Sequence, residues 1–191
     1  MLMLEELLGY VLIGAVGLIL LAVLYLPVYF ILRNRISMPR QLAYFLFIGC
    51  VLVIAGATVL ETVIIRIADG MPLLSAMHSL NLIPFQFITT EWGMSTRKQI
   101  TQEIANVMMF VPLGFIFPAV YKRLRRCRWT ILCTMGVSFC IEFMQYFIGR
   151  SADVDDVLLN TCGGAIGYLL FIAFSRLFKD RKNWKRFIGT E

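Results

Sequence analysis

Five long runs of mostly apolar residues limit what this chain can fold into. A helix needs about 20 such residues to cross the hydrocarbon core of a bilayer. The runs are continuous rather than alternating, which favours membrane helices over the strands of a membrane barrel. They predict an all-α fold, a polytopic integral membrane helix bundle with five transmembrane helices at residues 7–32, 41–60, 104–121, 129–149 and 157–178.

The composition agrees with a membrane protein. Of the 191 residues, 59% are hydrophobic and 16% are charged, whereas a soluble domain is about 45 to 50% apolar. No internal repeat, low-complexity tract or domain break interrupts the chain. We therefore expect a single membrane domain over residues 1–191, with a two-helix N-terminal portion over residues 1–65.

Basic residues mark one side of the predicted bundle. Most of the 18 Lys and Arg residues lie in alternate connections, and such residues concentrate on the cytoplasmic side of membrane proteins. This bias predicts the N-terminus outside and the C-terminus inside. Insertion and attraction to anionic lipid explain the net charge of +6, so we expect membrane lipid as a partner and no nucleic acid. The Lys and Arg residues in these alternate connections are Arg33, Arg35, Arg40, Lys122, Arg123, Arg125, Arg126, Arg128, Arg176, Lys179, Arg181, Lys182, Lys185 and Arg186.

Three polar strings interrupt the outer ends of the last three predicted spans. An ionisable side chain at hydrocarbon depth costs roughly 2.5 to 3.5 kcal/mol on insertion scales. Within each string the polar residues are three or four apart and share one side of a helix. We predict that the strings form one outward-facing site, built from Glu103-x-x-Asn106, Glu142-x-x-Gln145 and the segment from Arg150 through Asp153, Asp155 and Asp156 to Asn160.

Each predicted site residue has a functional and a structural interpretation. Carboxylates could act as general acid and base, and an oxygen-only cluster is compatible with a divalent cation, although no cofactor is predicted. Alternatively, Glu142 braces the bundle by pairing with Arg150 or bonding Asn160, and the aspartates cap the last span. The candidate catalytic residues are Glu142, Asp153 and Asp156, and the candidate ligand-binding residues are Asn81, Glu103, Asn106, Gln145, Arg150 and Asn160.

Two further patterns bear on packing. The long connection over residues 61–103 should contain short interfacial or partly inserted pieces, with a helix restarting near Thr96. In the last span, Gly163, Gly164 and Gly167 form a stripe of small residues that allows another helix to approach closely.

The polar strings, taken together and in order, resemble the VanZ-like family of bacterial membrane proteins. The resemblance covers about residues 78–172. It implies a bacterial cell-membrane protein associated with resistance to the glycopeptide antibiotic teicoplanin, and it supplies no mechanism. The family's motif residues correspond here to Asn81, Pro84, Phe85, Asn106, Pro112, Gly114, Glu142, Gln145, Arg150, Asp153, Asp156, Asn160 and Gly163.

Three functions follow as hypotheses. In the first, the outer site engages a glycopeptide antibiotic, a lipid-linked wall precursor or a surface polymer and so contributes to antibiotic tolerance. In the second, the protein is an outer-leaflet hydrolase or transferase, but Ser138 and Ser151 lie in no recognisable nucleophile motif. The third, transport, is disfavoured because the inner halves of the last three spans are expected to be apolar.

Overall fold

The computed structural model describes residues 2–75, 79–86 and 96–191, with side chains described for 16–75, 79–86 and 100–191. The protein is mostly helical, as predicted. In the described ranges, two strands of two residues each are the exception, and the sequence did not predict them. In chain order the elements are α1 (Leu2–Leu32), α2 (Met38–Ala55), a π-helical turn (Gly56–Leu60), α3 (Glu61–Ala68), β1 (Leu80–Asn81), α4 (Thr96–Val120), a 3₁₀ turn (Lys122–Arg125), α5 (Cys127–Phe147), β2 (Ala152–Asp153), α6 (Val154–Leu177) and α7 (Lys182–Ile188).

Within the residues that the structure describes, four helical segments are long and apolar enough to cross a bilayer: Met38–Ala68, Ile100–Val120, Cys127–Phe147 and Val154–Leu177. The part of α1 with described side chains, Val16–Leu32, is a shorter apolar helix. The protein is therefore a multi-pass membrane protein with helices in contact with lipid. The fifth span and the orientation in the membrane stay predictions.

The second span is longer than predicted. The π-helical turn Gly56–Leu60 joins α2 to α3 without a break, so one helical segment continues to Ala68. No proline or turn residue interrupts the backbone before Asp69 and Gly70, where the helix ends with Gly70 in the left-handed region. The interfacial pieces expected from residue 61 therefore begin later than predicted, whereas the predicted restart of a helix at Thr96 is confirmed.

Helices α4 and α6 form the closest contact in the bundle. A Cβ atom added to Gly163 would lie 2.1 Å from the carbonyl oxygen of Val107, and one added to Gly167 would lie 2.0 Å from that of Val111. A Cβ on Gly114 would lie 2.0 Å from the carbonyl oxygen of Gly164. These distances confirm the predicted packing role of the glycine stripe, since a methyl group at any of these positions requires the two backbones to separate.

The basic loops meet at one end of the bundle. Arg40 donates from Nη1 to the carbonyl of Ala119 at 2.7 Å and from Nη2 to that of Val120 at 2.7 Å. Arg125 Nη2 donates to the carbonyl of Ile188 at 2.5 Å, which ties α7 to the same place. Burial, and then the neighbouring charge of Arg40, lower the pKa of Arg125. Guanidinium groups thus satisfy carbonyls that the ends of α4 and α7 leave without helical partners.

We predict that Gly163→Ala destabilises the protein strongly, because its methyl group meets the Val107 carbonyl. The free energy of unfolding should fall by roughly 1 to 3 kcal/mol or more, as in overpacked cores. The matched control is Gly136→Ala in α5, where an added Cβ has nothing within 4 Å. Thermal unfolding of both purified variants in detergent tests this, and equal melting temperatures would contradict the packing assignment.

Candidate functional site

A short parallel strand pair positions the site at the end of the bundle opposite to Arg40 and Arg125. Leu80 pairs with Ala152, and Asn81 pairs with Asp153. The Ala152 N–H donates to the carbonyl of Ser79 at 3.2 Å. The pairing brings the segment before α4 against the segment before α6, which are far apart in the chain. Two-residue strands show no alternation, so the sequence carried no signal for them.

Asp153 caps α6, as the structural interpretation predicted. Its Oδ1 accepts from the N–H of Asp155 at 2.8 Å and from Nδ2 of Asn81 at 2.9 Å. The Oδ1 of Asn81 accepts from the N–H of Ile83 at 3.0 Å, which fixes the turn that follows β1. Asn81 and Asp153 are therefore brought together, and both have a structural task.

Glu142 joins α5 to the start of α6 through a hydrogen bond, but its partner is not one of the two predicted residues. It is 6% exposed, and its Oε2 accepts from the backbone N–H of Asp153 at 3.0 Å. Among the residues with described side chains, no ion pair joins Glu142 to Arg150. Asn160 instead donates from Nδ2 to Oγ of Ser138 at 2.8 Å. Both predicted pairings of Glu142 are therefore wrong, because Asp153 begins α6 close enough to offer its unpaired N–H.

Asn106 and Asp156 join α4 to α6 above the glycine contact. Asn106 Nδ2 donates to Oδ1 of Asp156 at 2.6 Å. Glu103 lies one helical turn before Asn106 and interacts electrostatically with Asp156 and Asp153. Its Oε2 is buried and has no hydrogen-bond partner among the described residues.

We call Glu103, Asn106, Glu142, Asp153 and Asp156 the polar cluster. Its carboxylates repel one another, and the positive charge of Arg150 acts on Glu142 and Asp156. The chain's own donors satisfy Glu142, Asp153 and Asp156 in part. The cluster thus combines excess negative charge with excess hydrogen-bond acceptors.

Gln145 and Arg150 bond to the π-helical turn after α2 rather than to a carboxylate of the polar cluster. Gln145 Nε2 donates to the carbonyl of Thr58 at 3.1 Å, and Arg150 Nη1 lies 3.4 Å from the same oxygen. The Arg150 N–H also donates to the carbonyl of Gln145 at 2.9 Å. Thr58 lies in the π-helical turn, and a single threonine in an apolar run gave no signal of this role.

Asp155 belongs to the predicted outer segment, but it was not among the candidate catalytic or ligand-binding residues. It is 2% exposed, and its Oδ1 accepts from the N–H of Phe85 at 2.5 Å. Phe85 has a positive φ of 64°, an uncommon conformation for a large side chain. Asp155 therefore anchors the Pro84–Phe85 turn, and its position beside Asp156 was the only available signal.

Asn160 lies one turn deeper than Asp156. It is 2% exposed, and its Oδ1 has no partner among the described residues. A buried row on α5, namely Thr130, Thr134 and Ser138, continues toward the basic end. The expectation that the inner halves of the spans are apolar is therefore wrong for α5, where Thr134 bonds backbone carbonyls of its own helix and packs against Gly164.

The polar cluster has no evident set of metal ligands. Within the described part of the chain, no three His, Cys, Asp or Glu side chains are grouped to hold a metal ion. We therefore assign no metal ligands, and the divalent cation stays a sequence-based prediction.

We predict that Glu142 acts through its hydrogen-bond acceptor rather than its charge. Glu142→Gln keeps an oxygen for the Asp153 N–H and should preserve the melting temperature. Glu142→Leu leaves that N–H unpaired and should cost about 1 to 3 kcal/mol of unfolding free energy. Thermal unfolding in detergent distinguishes the variants, and an equal loss in both would show that the charge stabilises the fold.

Comparison with known proteins adds one finding. The family model described as VanZ/LLP1 matches residues 41–177. The match contains every predicted site residue and the Thr58 turn, and it extends beyond the predicted range of 78–172. No curated protein and no solved structure matches the chain.

Proposed function

The chain belongs to the VanZ/LLP1 family, and from this premise we propose that it contributes to glycopeptide (teicoplanin-type) antibiotic resistance or tolerance in the bacterial cell envelope. The polar cluster faces outward and engages a lipoglycopeptide, a lipid-linked wall precursor or a surface polymer. The protein acts as a single membrane domain in the bacterial cell membrane.

The observation that carries this proposal is the excess of acceptors at the polar cluster. Oε2 of Glu103 is buried without a donor among the described residues. Such a group costs about 1 to 3 kcal/mol if it stays unpaired. A ligand that offers amine, amide or hydroxyl hydrogens removes this cost, and glycopeptides and sugar-bearing wall molecules carry such groups.

The proposed orientation places the polar cluster outside. Arg40 and Arg125 lie at the opposite end of the bundle and bond the ends of α4 and α7 there. Arginine-rich connections favour the cytoplasmic side. With α1 as a fifth span, the N-terminus is outside and the C-terminus inside.

Binding is favoured over hydrolysis or group transfer by the surroundings of the two serines near the polar cluster. Ser151 is exposed, and its Oγ is hydrogen-bonded to the hydroxyl of Ser79 at 2.9 Å rather than to a general base. Ser138 is 0% exposed, and its Oγ accepts from Asn160. A hydroxyl enclosed between α5 and α6 does not reach a substrate at the membrane surface. We therefore propose a binding function.

We expect that Asp156→Asn weakens binding of fluorescent teicoplanin to the purified protein roughly tenfold, the change for ~1.4 kcal/mol, because one charged acceptor is lost. The control is Asp180→Asn, an exposed carboxylate beyond α6 at the other end, which should leave binding unchanged. Deleting the gene should raise teicoplanin susceptibility. Unchanged susceptibility after deletion would overturn the proposed function.

We expect a Cys introduced at exposed Ser151 to react with a membrane-impermeant maleimide in intact cells. The Cys is introduced into a variant in which the five native cysteines are replaced by Ala, namely Cys50, Cys127, Cys133, Cys140 and Cys162. The matched variant is Thr190→Cys, exposed beyond α7, which should react only after permeabilisation. Reaction of Ser151→Cys solely after permeabilisation would reverse the orientation and contradict an outward-facing site.

A further inference from the structure

An apolar crevice of about 540 Å³ lies between α1, α2, α4 and α6. Protein interiors are close-packed and hold few voids larger than a water molecule, and this volume is within the roughly 300 to 1,000 Å³ of ligand pockets. Its lining includes Leu18, Gly49, Val53, Pro112, Phe115 and Leu170.

The crevice lies within the candidate membrane spans. Its lining residues on α2, α4 and α6 fall inside the segments Met38–Ala68, Ile100–Val120 and Val154–Leu177. Val53 and Leu170 at its wall are 46% and 43% exposed, so the crevice is open to the surroundings of the bundle. At hydrocarbon depth water is absent and an apolar occupant is required.

The crevice begins directly below the residues around the polar cluster. Met109 lines it and follows Asn106 by three residues, and Ile54 lines it and precedes Thr58 by four. At a helical rise of about 1.5 Å per residue, the upper end of the crevice lies roughly 5 to 6 Å below the level of Asn106 and Thr58. The crevice and the polar cluster therefore lie at adjacent depths in the bundle.

We infer that the ligand of this protein is an acylated amphiphile whose hydrocarbon chain occupies the crevice. This inference rests on the proposed function for its headgroup, which lies at the polar cluster. Charge selects the headgroup, because the carboxylates of the cluster favour an ammonium group over an anionic one. An acyl chain matches an apolar, laterally open cleft at this depth.

The test uses the full-length protein in phosphatidylcholine nanodiscs with a trace of phosphatidylethanolamine that carries a diazirine on its acyl chain. After photolysis, mass spectrometry maps the labelled residues. Label should concentrate on residues that line the crevice. Val53→Trp, which fills the crevice from α2, should reduce this label roughly tenfold, a change worth ~1.4 kcal/mol.

Matched controls separate the crevice from the general lipid-facing surface. Val51→Trp changes a valine of the same helix that is 44% exposed and does not line the crevice, so the label should persist. Leu170→Trp tests the opposite wall, and Leu169→Trp, at a residue 64% exposed and outside the lining, is its control. The inference would be overturned if the label were spread evenly over residues inside and outside the crevice and if neither Val53→Trp nor Leu170→Trp changed it. That result would show annular lipid only.

A second arm separates this inference from the proposed function. An otherwise identical phosphatidylglycerol probe should label the crevice less than the ammonium probe does, and Asp156→Asn should reduce that difference. Crevice labelling without any headgroup preference would overturn the role of the polar cluster while the crevice assignment stands. If the ammonium probe labels the protein more than the phosphatidylglycerol probe does, but the label lies outside the crevice, the acyl-chain inference alone is overturned.

Discussion

The close contact between α4 and α6 is the constraint on which the rest of the structure depends. Gly163 and Gly167 let the backbone of α6 approach the carbonyls of Val107 and Val111. Because the helices meet there, Asn106 comes within hydrogen-bond distance of Asp156. Gly164 then admits Thr134 of α5, which brings Glu142 to the start of α6. A stripe of small residues thus sets the positions of the charged ones.

The polar cluster is held from several sides by groups that also stabilise the fold. Asp153 caps α6, accepts from Asn81 and offers its N–H to Glu142. Gln145 and Arg150 connect the same region to Thr58 in the π-helical turn that follows α2. A cluster fixed in this way is preorganised, so a ligand does not have to order these side chains on binding. It also follows that substitutions there need a measurement of folding beside any measurement of activity.

Much of this arrangement could be predicted from the sequence, and the remainder has physical reasons for being missed. Apolar runs located the helices, and spacing of three or four residues placed Asn106 near Glu103 and Asn160 below Asp156. The strand pair was not predictable because two residues show no periodicity. Thr58 was missed because its backbone carbonyl, not its side chain, makes the contact. The predicted partners of Glu142 were wrong because its donor is the backbone N–H of Asp153, and every residue type other than proline carries such a donor.

Helices α4 and α6 run in the same direction, since Gly163 meets Val107 and Gly167 meets Val111. Their macrodipoles therefore lie side by side and repel. Asp155 and Asp156 lie in the first turn of α6, at its positive end, and Arg40 bonds the carbonyls at the negative end of α4. The charged residues thus offset an electrostatic penalty that such close parallel packing creates. Replacing Arg40 by an uncharged residue would leave the negative end of α4 without this compensation even in the absence of a ligand.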